Sequence, residues 1–460
     1  MNASRWLTFS ASIFVLLFWT NLQQPCTAQS LSDSASTQQL AAIPTKWLGP
    51  SPFTPVFDSS DSQTTPQKKK PITERVEDRD QYGFPARLST TAINFGNKHF
   101  NVLFGGIERG AGVVFGGEVT TADSLRWVEL RFQALVSTSL YQAYIGDAYF
   151  KAVGDENTHA DVWFRYLRRR HDNFFGIGPT VDESLETNYS TEERSYNATL
   201  YHDFSKAVRA GLWVSVSNSN AVEGSDDQDP PIGLFFSGSP FVIPITRWAP
   251  GLDGGAKLLS YGVFGIVDRR NNDAGLTKGF YASGRVGLND GLEKENRFSD
   301  FGWLQFDWDV RGYIPLGGDR TSLALRAYEQ VLSTRGGSQI PFYYLSKLGG
   351  NNWLRGYDNF RYYTDNMLLF SAEIRRTVWV QKEDRGLDIN VWSDVGQGWG
   401  DSRSKTNPFV IENDQFDSSN WRASFGGGVT YRFNKGLAFR VDFASSYQKT
   451  TAHFNFSRGF

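Results

Sequence analysis

Apolar and polar residues alternate along most of the chain from about residue 86 to its end. In the segment "LQFDWDVRGYIPL", over residues 304–316, one face carries Leu304, Phe306, Trp308 and Val310, and the other carries Gln305, Asp307, Asp309 and Arg311. A period of two residues is that of a β-strand, whose successive side chains point to opposite faces. The same alternation recurs over residues 127–135, 207–217, 387–395, 422–433 and 439–448. The pattern predicts an all-β protein of about 16 antiparallel strands, each of roughly 9 to 11 residues.

Two architectures produce such alternation. In a soluble β-protein the apolar face forms the core, whereas in a membrane barrel it faces lipid and the charged face lines the lumen. The polar face here carries many Asp, Glu and Arg residues, and the chain ends on an alternating strand that finishes at Phe460. These features favour a transmembrane antiparallel β-barrel. A spanning β-structure must close, because every backbone polar group in lipid needs an internal partner.

The composition narrows the function classes. Aromatic residues make up 15% of the chain, which has 45 Gly, and this suits many short strands and turns. The formal net charge of −2 provides no global basic field, so nucleic acid is not an expected partner. The mean hydropathy of −0.40 excludes a polytopic helical membrane protein but not a barrel, whose inward residues are polar.

The N-terminal region differs in composition and lacks the alternation. Arg5 precedes the apolar run "WLTFSASIFVLLFWTNL", and small residues near Ala28 suit cleavage, so residues 1–28 are predicted to be a secretory signal peptide. The alternative is a signal anchor. Residues 29–84, rich in Ser, Thr, Gln and Pro, predict a flexible polar linker. The barrel is expected over residues 85–460. Cys26, the only cysteine, leaves with the signal peptide, so neither a disulfide nor thiol chemistry is expected.

A Gly-rich segment interrupts the alternation. The sequence "SQIPFYYLSKLGGNNWLRGYDNFRYYTDNMLLFSAEIRR", over residues 338–376, closely resembles the sixth extracellular loop and next strand of the outer-membrane assembly and secretion superfamily. That superfamily includes BamA, TamA, the two-partner secretion transporters and the bacterial surface antigens. Its mark is a hydrophobic residue followed by Arg-Gly-Tyr or Arg-Gly-Phe. The matching residues are Leu354, Arg355, Gly356 and Tyr357.

Other motifs support this resemblance, which covers about residues 85–460. An aromatic residue, any residue, Asp, any residue and Gly follow on the next strand as Trp392, Asp394 and Gly396 in "VWSDVGQGWG". The segments "DRRNNDAGLTKGFY" (268–281) and "DNFFGIGPTVDES" (172–184) are less specific similarities.

The resemblance implies that the loop folds back into the lumen, where Arg355 acts as a latch. Alternation gives an independent physical reason, because it turns Glu373 and Asp394 inward on the two strands that follow the loop. A guanidinium in a partly dry lumen needs carboxylate acceptors, since an unpaired buried charge costs several kcal/mol. We expect Asp394 to be the first partner of Arg355 and Glu373 the second. The alternative is an exposed hairpin arginine above carboxylates that face water.

The last strand, "TAHFNFSRGF", ends on a free aromatic residue. Phe454, Phe456 and Phe460 share one face, which Arg458 interrupts. The free aromatic end resembles the signal that the barrel-assembly machinery reads, so that machinery is an expected partner during biogenesis. Outer-membrane lipid is expected as the second partner. The alternative is that Phe460 only packs against lipid, as one apolar residue among many.

No catalytic residue, cofactor or metal site is expected. The five histidines, at positions 99, 159, 171, 202 and 453, have no metal-ligand spacing, and there is no Gly-x-Ser-x-Gly motif. The basic segment "RYLRRRH" over residues 165–171 is interpreted as a strand end with loop charges. The alternatives are binding of lipopolysaccharide phosphate and pairing with Glu192 and Glu193.

The resemblance predicts a Gram-negative outer-membrane factor that aids insertion or translocation of proteins or lipids. Such barrels have a weak seam between their first and last strands, whose edge can template an incoming strand of a periplasmic or barrel substrate protein. Assembly members of the family carry periplasmic POTRA modules, and residues 30–80 are too short and too polar to form one. The alternatives are therefore a passive outer-membrane pore and a structural surface antigen.

Overall fold

A computed structural model describes most of the chain from residue 157 onward and the backbone of five strands before it. The described ranges are 89–93, 100–106, 113–120, 128–137, 144–153, 157–224, 229–236, 249–252, 254–270, 278–293, 300–318, 320–350, 353–382, 385–400, 416–432 and 438–455. The predicted signal peptide and linker lie outside these residues. So do Phe456 and Phe460 of the predicted C-terminal signal.

The described chain is almost entirely β-structure. The first strands are β1 (Ser89–Ile93), β2 (Phe100–Gly106), β3 (Val113–Thr120), β4 (Val128–Ser137), β5 (Tyr144–Val153) and β6 (Thr158–Phe174). They are followed by β7 (Thr187–Ser205), β8 (Val208–Glu223), β9 (Ala256–Asp268), β10 (Gly279–Gly291), β11 (Gly302–Pro315) and β12 (Thr321–Thr334). The remaining strands are β13 (Ser346–Leu348), β14 (Tyr362–Thr364), β15 (Asn366–Lys382), β16 (Arg385–Trp399), β17 (Arg422–Arg432), β18 (Ala438–Ser446) and β19 (Thr450–Asn455).

Helical structure within the described ranges is limited to short turns. The helix α1 (Gly233–Phe236) has four residues, and 3-10 turns occupy Glu183–Leu185, Phe342–Tyr344 and Ser418–Asn420. No helix in the described ranges is long and apolar enough to cross a membrane.

Seventeen of the strands form one antiparallel meander, in which each strand pairs with its neighbours along the chain. The exception is the pairing of β12 with β15, because the segment between them, described over residues 335–350 and 353–365, leaves the sheet and forms its own hairpin from β13 and β14. We call this segment the inner loop. The described registers run from β1–β2 to β18–β19. An all-β antiparallel fold was predicted and is confirmed, whereas a closed barrel of 16 strands stays a prediction.

The two faces of the sheet differ in the way that alternation predicts. On β11, Phe306 and Val310 are 39% and 43% exposed, whereas Asp309 and Arg311 are 1% and 0% exposed. The apolar side chains therefore point outward and the charged side chains point to the inner face, where the inner loop lies. A soluble β-protein has the opposite arrangement, so this distribution argues against the soluble interpretation.

Aromatic side chains pack where β6 ends, β7 begins and the inner loop lies, which we call the loop end of the sheet. Phe174 is fully buried, and its ring centroid lies 4.8 Å from those of both Phe342 and Tyr363. Tyr189 packs against Phe342 at the same distance and shares a 2.9 Å hydrogen bond with the hydroxyl of Tyr363. These contacts fix the inner loop to the first residues of β7. The aromatic cluster therefore anchors the loop at the point where it folds over the inner face.

Candidate functional site

The tip of the inner loop places Arg355 against the wall of the sheet. Arg355 is 5% exposed. Its Nε donates to Oδ2 of Asp394 at 2.8 Å, and its Nη2 donates to Oδ1 of the same carboxylate at 2.7 Å. Its Nη1 donates to Oε2 of Glu373 at 3.1 Å, and its backbone N–H donates to Asp394 at 3.2 Å. The three side chains that alternation and the resemblance singled out therefore meet.

Two adjacent strands position the acceptors. Glu373 on β15 lies opposite Trp392 on β16, and Asp394 lies opposite Ser371, two residues further along the strand. Because side chains two residues apart share a face, Trp392 and Asp394 both point inward beside Glu373. Glu373 and Asp394 are each 1% exposed. The register of one strand pair thus creates a two-carboxylate surface on the inner face.

The two carboxylates differ in how they are compensated. Glu373 also accepts from Nε of Arg375 at 2.6 Å and from both terminal nitrogens of Arg440 at 2.9 and 3.0 Å. Among the described residues Asp394 has its ion pair with Arg355 alone. Removing the loop arginine would therefore leave Asp394 buried without a counter-charge, while Glu373 would keep two.

Trp392 lies beneath the guanidinium of Arg355. The guanidinium carbon of Arg355 lies 3.6 Å from the centroid of the Trp392 ring. A planar guanidinium can stack on an aromatic face while its edge donates to carboxylates, which a lysine ammonium cannot do. The aromatic residue of the "VWSDVGQGWG" motif thus contacts the arginine directly, together with the aspartate of the same motif.

The inner loop has glycine at two positions with a left-handed backbone, and one of them lies close to the wall of the sheet. Gly356 has φ +100°, and a Cβ at this position would lie 3.1 Å from the backbone of Ser445 on β18. Gly349 has φ +118°, and a Cβ there would lie 2.5 Å from the carbonyl oxygen of Asp358. Both positions have a left-handed backbone, which disfavours other residues. A Cβ at Gly349 would be too close to the loop's own backbone, and one at Gly356 would force its neighbours to move by a few tenths of an ångström. The glycines therefore allow the loop to turn and to dock.

The residues on either side of Arg355–Gly356 anchor the tip. Leu354 is fully buried in a cluster with Tyr328, Leu348 and Leu369. Tyr357 is 1% exposed, and its hydroxyl donates to the carbonyl oxygen of Ala423 at 3.2 Å. Burial raises the pKa of Tyr357 to about 12, so its hydroxyl stays protonated at physiological pH and keeps this donor.

The sequence did not predict the other contacts that the loop tip makes. The ring of Trp353 packs 4.5 Å from that of Tyr328 on β12, and the guanidinium of Arg326 lies 4.9 Å from the Trp353 centroid. Trp353 adjoins the arginine motif, so its aromatic character was the only available signal.

On the opposite side the tip reaches the turn between β18 and β19. Ser446 Oγ donates to the carbonyl oxygen of Gly356 at 2.7 Å, Lys449 forms an ion pair with Asp358, and the rings of Tyr357 and Tyr447 lie 5.7 Å apart. Asp358 and Lys449 are 91 residues apart in the sequence, and no motif links them. Residues 353–358 thus contact β12, β15, β16, β17 and the last turn.

A second charged cluster on the inner face does not involve the loop arginine. Asp309 on β11 accepts from Arg311 at 3.1 and 2.7 Å and from Arg326 on β12 at 3.1 and 2.9 Å. All three side chains are at most 1% exposed. Asp268 and Arg270, from the less specific "DRRNNDAGLTKGFY" segment, form a similar two-bond ion pair at 3.0 and 2.8 Å.

The remaining predicted site residues are placed as follows. Phe454 lies on β19 opposite Val441 of β18. Its partners in the predicted signal, Phe456 and Phe460, lie outside the described residues, so that role stays a prediction. Within the described ranges no three His, Cys, Asp or Glu side chains are arranged to hold a metal ion.

Two exposed acids cap turns at the loop end. The backbone N–H of Ser184 donates to the Asp182 carboxylate at 2.9 Å, and that of Ser419 donates to Asp417 at 2.8 Å. These backbone hydrogen bonds favour the charged form and lower the pKa of each carboxyl. The two acids therefore act as turn caps, for which no catalytic role is needed.

An antiparallel meander with an apolar outer face, a charged inner face and a loop pinned to that inner face is typical of outer-membrane β-barrel proteins. The profile of the Omp85 superfamily domain matches residues 180–460, more than half of the chain. The chain belongs to the Omp85 superfamily, which confirms the resemblance.

Solved structures are similar to the chain at low sequence identity, and the BamA structure shows the same fold. BamA from Haemophilus ducreyi lacking POTRA domains 1–3 is 13% identical with a TM-score of 0.54, and the match covers 83% of this chain and 77% of that one. CdiB from Escherichia coli is 11% identical with a TM-score of 0.47, over 83% of this chain and 68% of that one. No curated protein sequence matches the chain significantly.

Proposed function

We propose that this protein is an outer-membrane assembly or translocation factor whose inner loop is latched by Arg355. The observation that carries the proposal is the buried contact of Arg355 with Asp394, Glu373 and Trp392. In this view a signal peptide over residues 1–28 exports the chain. The protein then acts in the Gram-negative outer membrane on periplasmic or barrel substrate proteins.

The net free energy of the Arg355 contacts suits a loop that alternates between a docked and an undocked state. Charge-assisted and bidentate bonds are roughly twice as strong as neutral hydrogen bonds, and here they form in a site from which water is excluded. The desolvation of the three groups opposes this gain, so the net stabilisation is modest while the loss of one partner is costly. Such a contact holds the loop firmly when it is complete and releases it when it is broken.

The docked loop also holds the last hairpin. Gly356 accepts from Ser446, and Asp358 pairs with Lys449, at the turn that joins β18 to β19. β19 is the final strand of the described meander and pairs with β18 along one edge. We propose that its other edge forms the seam with the first strands of the barrel. The latch would then control how freely this seam can open to template an incoming strand.

The test is to place the purified protein in liposomes and measure both assembly of a model barrel and ion conductance. Arg355→Ala should reduce assembly at least tenfold, since it removes the arginine from a buried network whose disruption costs about 3–5 kcal/mol. Arg376→Ala is the matched control, because Arg376 is an exposed arginine on β15 at the end of the sheet opposite the inner loop.

The two measurements separate the proposed function from its alternatives. Assembly that depends on Arg355 and not on Arg376 supports the proposal. Steady conductance without assembly would identify a passive pore, and the absence of both activities would leave a structural surface protein. Either of these results would overturn the assembly role.

A further inference from the structure

The outer face of β6, β7 and β8 changes abruptly from apolar to polar toward the loop end. The register aligns Val162, Ala198 and Val214 in one row, and Phe164, Tyr196 and Val216 in the next. The following two rows are Tyr166, Arg194 and Asn218, and then Arg168, Glu192 and Asn220. Three strands therefore change character at the same height, which marks a boundary between two environments.

The apolar rows have the properties of a lipid-facing band. Val162, Leu212 and Tyr196 are 50%, 55% and 64% exposed. The rings of Phe164 and Tyr196 lie 5.0 Å apart in the last apolar row. Aromatic residues concentrate at both membrane interfaces of a barrel, so this row marks the upper edge of the hydrocarbon region.

Arginines occupy the height immediately above this edge. Arg194 is two residues beyond Tyr196 on β7, which is about 7 Å along the strand, and its guanidinium lies 5.8 Å from the Tyr166 ring. Arg168 occupies the next row on β6, and Arg170 follows it. Glu192 pairs with Arg194 at 2.8 Å, but Arg168 and Arg170 have no ion pair with the described residues. These polar rows above the aromatic row, which we call the strip, therefore carry an excess of positive charge.

We infer that Arg168 and Arg194, with Arg170 beside them, bind the phosphate headgroup of an anionic lipid in the outer leaflet. Guanidinium groups bind phosphate oxygens in a bidentate geometry, and long arginine side chains reach from the apolar boundary to the headgroup level. The continuity of the strip with the apolar rows favours a lipid over a soluble phosphate compound, because the acyl chains of the lipid would lie against Tyr196 and Val216.

This inference rests on the orientation that the resemblance of residues 338–376 to an extracellular loop implies, with the loop end in the outer leaflet, and not on assembly activity. It selects the lipid interpretation of the "RYLRRRH" segment over the interpretation as inert loop charges. Arg165, in the same segment, is 8% exposed and lies on the inner face, so only alternate members of the basic run can reach lipid.

The experiment measures the affinity of the purified full chain in detergent for diphosphorylated lipid A and for dephosphorylated lipid A by native mass spectrometry. Arg168→Gln combined with Arg194→Gln should weaken binding of the diphosphorylated lipid about tenfold or more. The same variant should bind the dephosphorylated lipid as the unmodified protein does. Arg320→Gln combined with Arg376→Gln removes two exposed arginines from the opposite end and should leave both affinities unchanged.

Three results would overturn the inference. The first is an unchanged affinity of the Arg168/Arg194 variant for diphosphorylated lipid A. The second is an equal loss in the control variant, which would indicate attraction by overall charge. The third is equal binding of the two lipids by the unmodified protein. Heat-modifiable migration on gels confirms that each variant is folded, and a failure of model-barrel assembly would not affect any of these measurements.

Discussion

The inner face carries two buried charge networks that are built differently. The loop network joins Arg355 of the inner loop to Glu373 and Asp394 on β15 and β16. The hairpin network joins Asp309 to Arg311 and Arg326 within the single hairpin of β11 and β12. Both are closed to water, and Arg326 of the hairpin network also lies against Trp353 of the inner loop. Only in the loop network do the ion pairs themselves require a segment outside the sheet to dock.

The difference shows what each network can do. Arg311 and Arg326 lie directly opposite each other on the paired strands, and like charges in this position repel. Asp309 binds both, so the hairpin network forms whenever the strands pair and serves the sheet itself. The loop network forms only when the loop is docked, so it can report or control the position of the loop.

The largest effect is expected in the hairpin network. Asp309→Asn leaves Arg311 and Arg326 buried and opposite each other without a carboxylate, so we expect a destabilisation of the barrel by about 3–5 kcal/mol. Urea unfolding followed by heat-modifiable migration would measure it. Asp290→Asn is the control, because Asp290 and Arg335 form an exposed pair, 39% and 41% accessible, whose loss should cost about 0–1 kcal/mol. Equal effects of the two variants would contradict the importance of burial.

Arg355→Ala should act on the loop more than on the sheet. Asp394 would be left buried and unpaired, whereas Glu373 would retain Arg375 and Arg440. We expect the loop to undock at a cost of about 3 kcal/mol, with faster hydrogen exchange in residues 353–362. The strands β11 and β12 should exchange at their usual rate. A uniform loss of protection across both regions would show that the two networks are not independent.

The loop network should also show direct coupling between its members. If the side chains of Arg355 and Asp394 pair, the double variant Arg355→Ala with Asp394→Ala should be less destabilised than the sum of the single variants by about 1–3 kcal/mol. The same cycle for Arg355 and Asp290, which do not touch, should give a coupling near zero. Additive effects of Arg355→Ala and Asp394→Ala would mean that the contact contributes nothing to loop docking.

The two networks were also predictable to different degrees. Alternation assigned Asp309 and Arg311 to one face, and the same rule turned Glu373 and Asp394 inward, because strand parity is a local property of the sequence. The docking of Arg355 onto those carboxylates came from the motif resemblance, supported by the need of a buried guanidinium for acceptors. Physics without the resemblance left an exposed hairpin arginine as an equal alternative.

Contacts between distant segments could not be predicted in this way. The stacking of Arg355 on Trp392 depends on the depth to which the loop descends, and the pairing of Asp358 with Lys449 depends on where the last turn lies. The alignment of the outward-facing apolar rows of β6, β7 and β8 depends on the strand register, which a single sequence does not specify. Alternation alone indicates which residues face outward but not which of them share a height.

Gly356→Ala tests how closely the loop approaches the wall. The added methyl group would occupy a left-handed residue at φ +100° and lie 3.1 Å from the backbone of Ser445, so we expect a cost of about 1–3 kcal/mol. Gly336→Ala is matched in conformation, with φ +60° in the same loop, but nothing lies within 4 Å of its added methyl group. Limited proteolysis should therefore cleave the inner loop faster in Gly356→Ala than in Gly336→Ala. Equal cleavage rates in the two variants would exclude a steric role of the wall.

The smallest effect is expected at the pair formed by Asp358 and Lys449, which links the loop to the last turn. Their side chains are 22% and 38% exposed, so solvent screens the pair and its loss should cost only about 0.2–1 kcal/mol. Lys449→Gln should speed hydrogen exchange in residues 447–449 at low salt, and 1 M salt, where the Debye length falls to about 3 Å, should produce the same change in the unmodified protein. The exchange of residues 353–355 should stay the same in both cases, because the buried contacts of Arg355 are shielded from salt. If Lys449→Gln instead released Arg355, the two contacts of the loop would break together. The distinction between a strong contact at Arg355 and a weak one between Asp358 and Lys449 would then be wrong.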